Sequence, residues 1–182
     1  MKKYTVNVDL INKVIPAVGN DQCRPYWQGV YIHDTDGVRN YVATNGHILF
    51  KCAEKGFEGD SLENPVILRL NKPLKNKAGI KGELTIVDTD TAVIKYAEKT
   101  VCDIIDAEFP DYQRLIDSGK FAEEIQEYVV FAPEYMAELK KFIPTAWYNT
   151  PRMENKLTMG QWFYNDEKEF IEYMALMMPI RT

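Results

Sequence analysis

Two histidines, three cysteines and two pairs of closely spaced aspartates are the residues of this 182-residue sequence with most chemistry to offer, and their spacing assembles no catalytic set. Neither His33 nor His47 stands near a cysteine at metal-ligand spacing. No Gly-x-Ser-x-Gly elbow presents a nucleophile, and no Walker-type glycine loop is there to cradle phosphate. Asp34 and Asp36 flank Thr35, and Asp88 and Asp90 flank Thr89, but the remaining ligands of a calcium loop are missing, so these acids read as turn formers. Cys23, Cys52 and Cys102 are odd in number and widely spaced, which suits reduced, buried thiols better than a disulfide framework or a CxxC site. No metal and no cofactor are expected, and an enzyme is the least supported class. The aromatic cluster Trp147, Tyr148, Trp162, Phe163 and Tyr164 has the chemistry to stack on bases, although such clusters more often form core or protein interface.

With 46% hydrophobic and 27% charged residues the chain has enough apolar surface to bury a real core, as one large domain or one and a half small ones. No run of 18 apolar residues exists and the first residues, Met1-Lys2-Lys3-Tyr4-Thr5, open no signal-peptide stretch, so the expectation is a cytoplasmic protein without membrane contact. The formal net charge of -5 argues against gripping nucleic acid through an overall field, because phosphate affinity comes from Lys and Arg displacing counterions. Any DNA contact must be local.

The elements that would position these residues follow a pattern. Residues 4–8 alternate as a short strand, Asp9 offers an N-cap, and Leu10, Ile11, Val14 and Ile15 stripe a helix of about ten residues that ends at Gly19-Asn20. Residues 29–33 and 40–44 form a hairpin across Asp34-Thr35-Asp36-Gly37, and Asn45-Gly46 turns the chain into a third strand over 47–52. The pattern recurs: a strand over 65–70, a short helix over 71–77, then strands over 83–87, 91–96 and 99–105. A third pass opens with a strand over 127–131 and a helix from Pro133 to about Phe142, and closes with strand-like runs that finish over 173–180. Residues 55–64 are a connector, and 106–126 link the second and third passes. So short a third pass buries too little surface to stand alone and should dock on something.

Three segments carry a family likeness. Gly29-Val30-Tyr31-Ile32 followed by Val42-Ala43-Thr44-Asn45-Gly46-His47-Ile48-Leu49 resembles the middle domain of the bacterial sliding clamps, the DNA polymerase III beta subunit family, where a Val-Ala-Thr-Asp-Gly-His-Arg-Leu run follows the same strand pair. Phe109-Pro110-Asp111-Tyr112-Gln113-Arg114-Leu115-Ile116 is similar to that family's Phe-Pro-Asp-Tyr-Arg-Arg-Val-Leu linker, and Met178-Pro179-Ile180-Arg181-Thr182 to its terminal Met-Pro-Met-Arg-Leu. The three motifs stand in family order. The resemblance implies an α+β, DNA-clamp-like fold of repeated strand-helix-strand half-domains with antiparallel sheets. It divides the chain into a middle-domain-like unit at 1–108, a linker at 109–126 and half of a third-domain-like unit at 127–182. Three half-domains per chain would need four copies to match a ring of twelve, hence a homo-oligomer.

By the same resemblance, a groove for short linear peptides from DNA polymerase and the clamp loader is implied at Thr44, Gly46, His47 and Leu49, at Pro110, Arg114 and Leu115, and at Met178, Pro179, Ile180 and Arg181, with Trp27 and Leu176 as further walls. Gly46 would leave room for backbone approach, and the apolar walls would adapt to their guest. A Leu or Phe anchor gains roughly 1.5–3 kcal/mol on burial, so after ordering costs binding on the order of micromolar is expected. Asn45 and Ile48 replace the family's Asp and Arg, which removes charge from the rim. Read without the resemblance, Met178-Pro179-Ile180 is a plain terminal strand, His47 a turn residue and Phe109-Pro110 a connector.

Helices facing a central hole would touch double-stranded DNA non-specifically, and the matching residues are Lys13, Arg24, Lys72, Lys75, Lys77, Lys140 and Lys141. A lysine on a short amphipathic helix is usually just its solvated face. The functional expectation is a non-enzymatic DNA-replication accessory, a processivity and recruitment platform. Its alternative is a partial clamp-like decoy or regulator of a phage or mobile element, which binds clamp partners without encircling DNA.

Overall fold

A computed structural model describes residues 2–70, 73–75, 80–117, 131–143 and 160–178. Strand β1 (Lys2–Asn7) runs straight into helix α1 (Val8–Val14), so the cap falls on Asn7, not on Asp9. The Asn7 side chain accepts the backbone N–H groups of Asp9 at 3.1 Å and Leu10 at 3.3 Å, and Asp9 sits inside the first turn, where its negative charge interacts favourably with the positive end of the helix dipole. A 3-10 turn at Ile15–Ala17, containing Pro16, finishes the helical run.

Strands β2 (Val30–Thr35) and β3 (Val38–Thr44) form the expected hairpin, with Asp36 at φ 52° and Gly37 at φ 75° as its two turn residues. Then follow β4 (Ile48–Lys55), β5 (Val66–Arg69), β6 (Lys81–Ile86), β7 (Thr91–Lys95) and β8 (Lys99–Ile104). Helix α2 (Tyr112–Asp117) lies in what the sequence suggests is bare linker, and α3 (Pro133–Phe142) starts on its proline as expected. Strands β9 (Gly160–Asp166) and β10 (Ile171–Met177) close the chain. The terminal strand thus stops at Met177, short of the expected 180. Residues 73–75 carry no helix and Phe131 lies in no strand; the rest of the helix expected over 71–77, save residues 73–75, and of the strand expected over 127–131 lies outside the described residues.

The described strands make one antiparallel sheet in the order β1-β6-β7-β8-β5-β2-β3-β4-β10-β9. The first two passes exchange strands: β1 pairs with β6 of the second pass, and β5 of the second pairs with β2 of the first. The third pass docks by strand addition, β10 lying on β4 from Ile171 opposite Glu54 to Met177 opposite Ile48. Phe142 of α3 stacks on Phe50 of β4 with ring centres 4.2 Å apart, so helix and strand of the third pass seat on the same element.

Side chains alternate across the sheet and so build two cores. Tyr41, Ala43, Ile48, Phe50, Ala175 and Met177 face α1 and α3 in the main core. Val42, Leu49 and Leu176, one residue out of phase, face the other way and join Ile67, Ile105, Phe109 and Tyr112 in a second apolar cluster.

One buried cation ties the first pass together. Arg39, 0% exposed, makes a two-pronged pair with Asp34 directly opposite it on β2, Nε to Oδ1 at 2.8 Å and Nη2 to Oδ2 at 2.7 Å. It also donates to the carbonyls of Thr5 and Asp60, and its guanidinium lies 4.0 Å from the centre of the Phe57 ring. Asp34 accepts the Leu62 N–H at 2.7 Å as well. The connector 55–64 is thereby held by a fully satisfied charge pair, the condition under which burying such a pair is tolerable.

Candidate functional site

The turn between β3 and β4 is closed by its own side chains. Thr44 Oγ1 donates to the Ile48 carbonyl at 2.7 Å and accepts the Gly46 N–H at 3.1 Å; Asn45 Oδ1 accepts the N–H groups of His47 and Ile48 at 2.9 and 3.0 Å. Gly46 sits at φ +86°, a conformation that favours glycine. A Cβ there would lie 2.4 Å from Cη2 and 2.6 Å from Cζ2 of Trp27. The room that Gly46 leaves is therefore filled by the Trp27 indole, which corrects the expectation of space for a guest's backbone.

The chain end meets this turn, Met178 donating its N–H to the His47 carbonyl at 2.8 Å. On the other side runs a strap, residues 105–117, across the outer face of β5, β2 and β4. The Ile105 N–H donates to the Ile67 carbonyl at 2.9 Å, Phe109 stacks on Tyr31 with centres 4.4 Å apart and planes 2° from parallel, and Tyr112 OH lies 2.8 Å from His33 Nε2. Lys51 of β4 sets its ammonium 5.5 Å from the centre of the Tyr112 ring. Burial raises the Tyr112 phenol well above its ordinary range, so it stays protonated. For His33, loss of water and then the nearby Lys51 charge push the imidazole below its ordinary value, against a smaller opposing pull from Asp34.

Between strap, turn and chain end lies a cavity of about 420 Å³. Nine of the thirteen residues expected in a groove line it: Trp27, Thr44, Gly46, His47 and Leu49 from the turn side, Pro110 and Leu115 from the strap, Leu176 and Met178 from the chain end. Arg114 is exposed on α2 and takes no part in the lining, while its N–H is capped by Asp111 at 3.1 Å. Pro179, Ile180 and Arg181 lie outside the described residues. Tyr26, Ile48, Phe109 and Tyr112 also line the cavity and are absent from the expected set. For Phe109 and Tyr112 the signal was present, since both belong to the Phe-Pro-Asp-Tyr run. His47 turns its ring to Tyr135 of α3, centres 5.8 Å apart and nearly parallel.

The basic residues expected on a DNA-facing surface are differently engaged. Lys13 holds its ammonium 4.9 Å from the Tyr173 ring centre, and Arg24 stacks 4.3 Å from the centre of Trp27, at the back of a cavity wall. Lys75 pairs with Glu98 at 3.1 Å and Lys141 with Glu138 at 2.6 Å, while Lys140 is exposed on α3. Lys72 and Lys77 lie outside the described residues. Of the cysteines, Cys52 and Cys102 are buried, and burial raises both thiols, that of Cys102 to about 11; Cys23 is exposed, contrary to expectation. In the aromatic cluster Trp162 is core, packed edge-on against Phe131, and Tyr164 stacks on Tyr173; Trp147 and Tyr148 lie outside the described residues. Among the described residues no helix is long and apolar enough to cross a membrane, and no group of three or more His, Cys, Asp or Glu side chains is placed to hold a metal ion.

No protein-family model and no curated protein sequence matches the chain. Solved structures do. The DNA polymerase III subunit beta of Pseudomonas aeruginosa superposes with a TM-score of 0.71 at 14% identity, covering 100% of this chain and 67% of its own. The beta subunit of Thermotoga maritima gives 0.67 at 17% identity, covering 99% and 65%, and that of Streptococcus pyogenes 0.69 at 14%, covering 100% and 66%. The chain spans about two thirds of the length of these clamps. At such low identity the likeness resides in strand order and helix placement, and it establishes that this chain has the fold of the bacterial sliding clamp, the DNA polymerase III beta subunit, over that shorter span.

Proposed function

We propose that this protein is a sliding-clamp-like accessory of DNA replication, a non-catalytic platform that holds short linear peptides of polymerase, loader or repair proteins in the cavity beside the Thr44–Leu49 turn. The observation that carries the reading is the convergence of three sequence-distant segments on one apolar cavity. Aliphatic and thioether walls suit Leu or Phe anchors, and a cavity of about 420 Å³ has room for two such side chains without enclosing a whole ligand. Affinity on the order of micromolar lets partners exchange. On this reading residues 1–108 act as the middle-domain-like unit, 109–126 as the linker and 127–182 as the half unit, in the cytoplasm. Contact with DNA is then loose, with Lys140 better placed for it than Lys13 or Arg24, whose charges already sit over aromatic rings.

Griselimycin, bound in the solved clamps of P. aeruginosa and Bartonella birtlesii, serves as a probe. It should bind this chain, and the double variant Leu49→Ala, Met178→Ala should weaken it about tenfold or more. Unchanged affinity in that variant would move the site elsewhere. Light scattering tests the ring: a closed ring of twelve half-domains requires four copies, whereas a stable monomer with intact peptide binding leaves the decoy or regulator role.

A further inference from the structure

Thirteen described residues line the cavity, and among them there is no Asp, Glu, Lys or Arg. An ionised side chain pressed against these walls would lose its water without gaining an opposite charge. The Thr44 and Tyr112 hydroxyls are already hydrogen-bonded, to the turn backbone and to His33. Selection among uncharged guests therefore falls to the shape of the walls. Leu115 and Met178, 45% and 41% exposed, are rotatable side chains that can give way. The wall beside the turn cannot. Trp27 sits in a 3-10 turn, Pro25–Gln28, with its N–H donating to the Arg24 carbonyl at 3.0 Å and its carbonyl accepting the Gly19 N–H at 2.8 Å. A Cβ on Gly19 would lie 3.2 Å from Asn45 Cα and 3.3 Å from Trp27 Cβ, so loop, turn and the base of the indole pack with no side chain between them. The Arg24 guanidinium lies over the ring, Tyr26 meets it edge-on with centres 6.0 Å apart, and its six-membered edge ends against Gly46.

We propose that Trp27 is the specificity-determining residue of the cavity: a rigid stop that fills the space beside Gly46, admits a Leu-sized anchor and turns away a two-ring one. This assignment rests on the proposed peptide site and names the guests it takes. A flexible wall would make way for a larger guest by changing rotamer. The indole has no such freedom on the turn side, because the Gly46 backbone already lies against it. Truncating the indole should leave a slot that persists. Its back is formed by the backbone of Gly19, Asn45 and Gly46, and the turn is closed by the bonds from Gly46, His47 and Ile48 N–H groups to the Thr44 and Asn45 side chains. Such a frame relaxes little into a vacated space.

The test is competition against labelled griselimycin, on the full chain, by two capped dipeptides, N-acetyl-Leu-Leu amide and N-acetyl-Leu-Trp amide. The wild type should favour the Leu-Leu peptide, and Trp27→Ala should lower that preference about tenfold, the worth of one buried anchor. Trp27→Leu, which keeps apolar bulk should the alanine variant fail to fold, should move the ratio in the same direction by less. Each ratio is taken on one protein, so a general loosening of the site, which weakens both peptides alike, leaves it unmoved. Indole gives an independent reading: in excess it should raise the urea midpoint of Trp27→Ala and not that of the wild type. A ratio unchanged in both variants, or a wild type that prefers the Trp peptide, overturns the stop. If griselimycin fails to bind the wild type, the peptide site falls, and a Trp27→Ala chain indifferent to indole then overturns the rigid slot as well.

Discussion

Across β2, β3, β4 and β10 the outer face of the sheet carries Tyr31, Val42, Leu49 and Leu176 and is covered by the strap; across β6, β7 and β8 the same face carries Thr85, Val93 and Val101, and Val101 is 54% exposed. The inner faces do not differ in kind: Leu84, Ala92, Ile94 and Cys102 in the second pass are as deeply buried as Tyr41, Ala43, Phe50 and Cys52 in the first. Inner-face burial is what any two-layer fold demands of its strands. An apolar outer face is a separate requirement, met only where something lies on it, and here the cavity opens at the margin of that cover. A larger hollow of about 640 Å³ beside β1, β6 and β7 sets Lys3, Asp60, Lys81, Glu83 and Lys95 among Tyr4, Ile80 and Tyr96, a far more charged lining.

Substitutions can sharpen or break this contrast. Phe109→Ala removes the ring stacked on Tyr31 and should cost about 3 kcal/mol, read as a lower urea midpoint; a loss well under 1 kcal/mol would mean that the strap covers the face without stabilising it. Gly46→Ala combines a left-handed backbone with a collision against Trp27 and should cost about 2 kcal/mol, with weaker griselimycin binding, because the indole must leave its place in the cavity wall. Tyr112→Phe keeps the ring and deletes the hydrogen bond to His33, so about 1 kcal/mol is expected, read as a lower urea midpoint. Val101→Thr on the bare face should change stability by no more than about 0.5 kcal/mol; a larger penalty there would show that this face too is covered in solution.

Elements with local causes were legible in the sequence. The Asp36-Gly37 hairpin, the Asn45-Gly46 turn and the start of α3 at Pro133 each depend on backbone preferences that a few neighbouring residues decide. The N-cap was misplaced by two residues because Asn7 and Asp9 are both competent caps, and which one serves depends on where β1 releases the chain. Most of the residues that line the cavity stand in the three motif segments that resemble a known family.

What the sequence determined by itself was the alternation that gives each strand an inner and an outer face, the turn chemistry, and the three segments suited to a shared apolar site. Only the tertiary structure decided that β10 adds to β4, that Arg39 and Asp34 hold the connector, that Trp27 occupies the space beside Gly46, and that His33 meets Tyr112. These pairings join residues far apart in the chain, or depend on which of several equivalent partners the fold brings near. Neither spacing nor residue type fixes that choice; packing does.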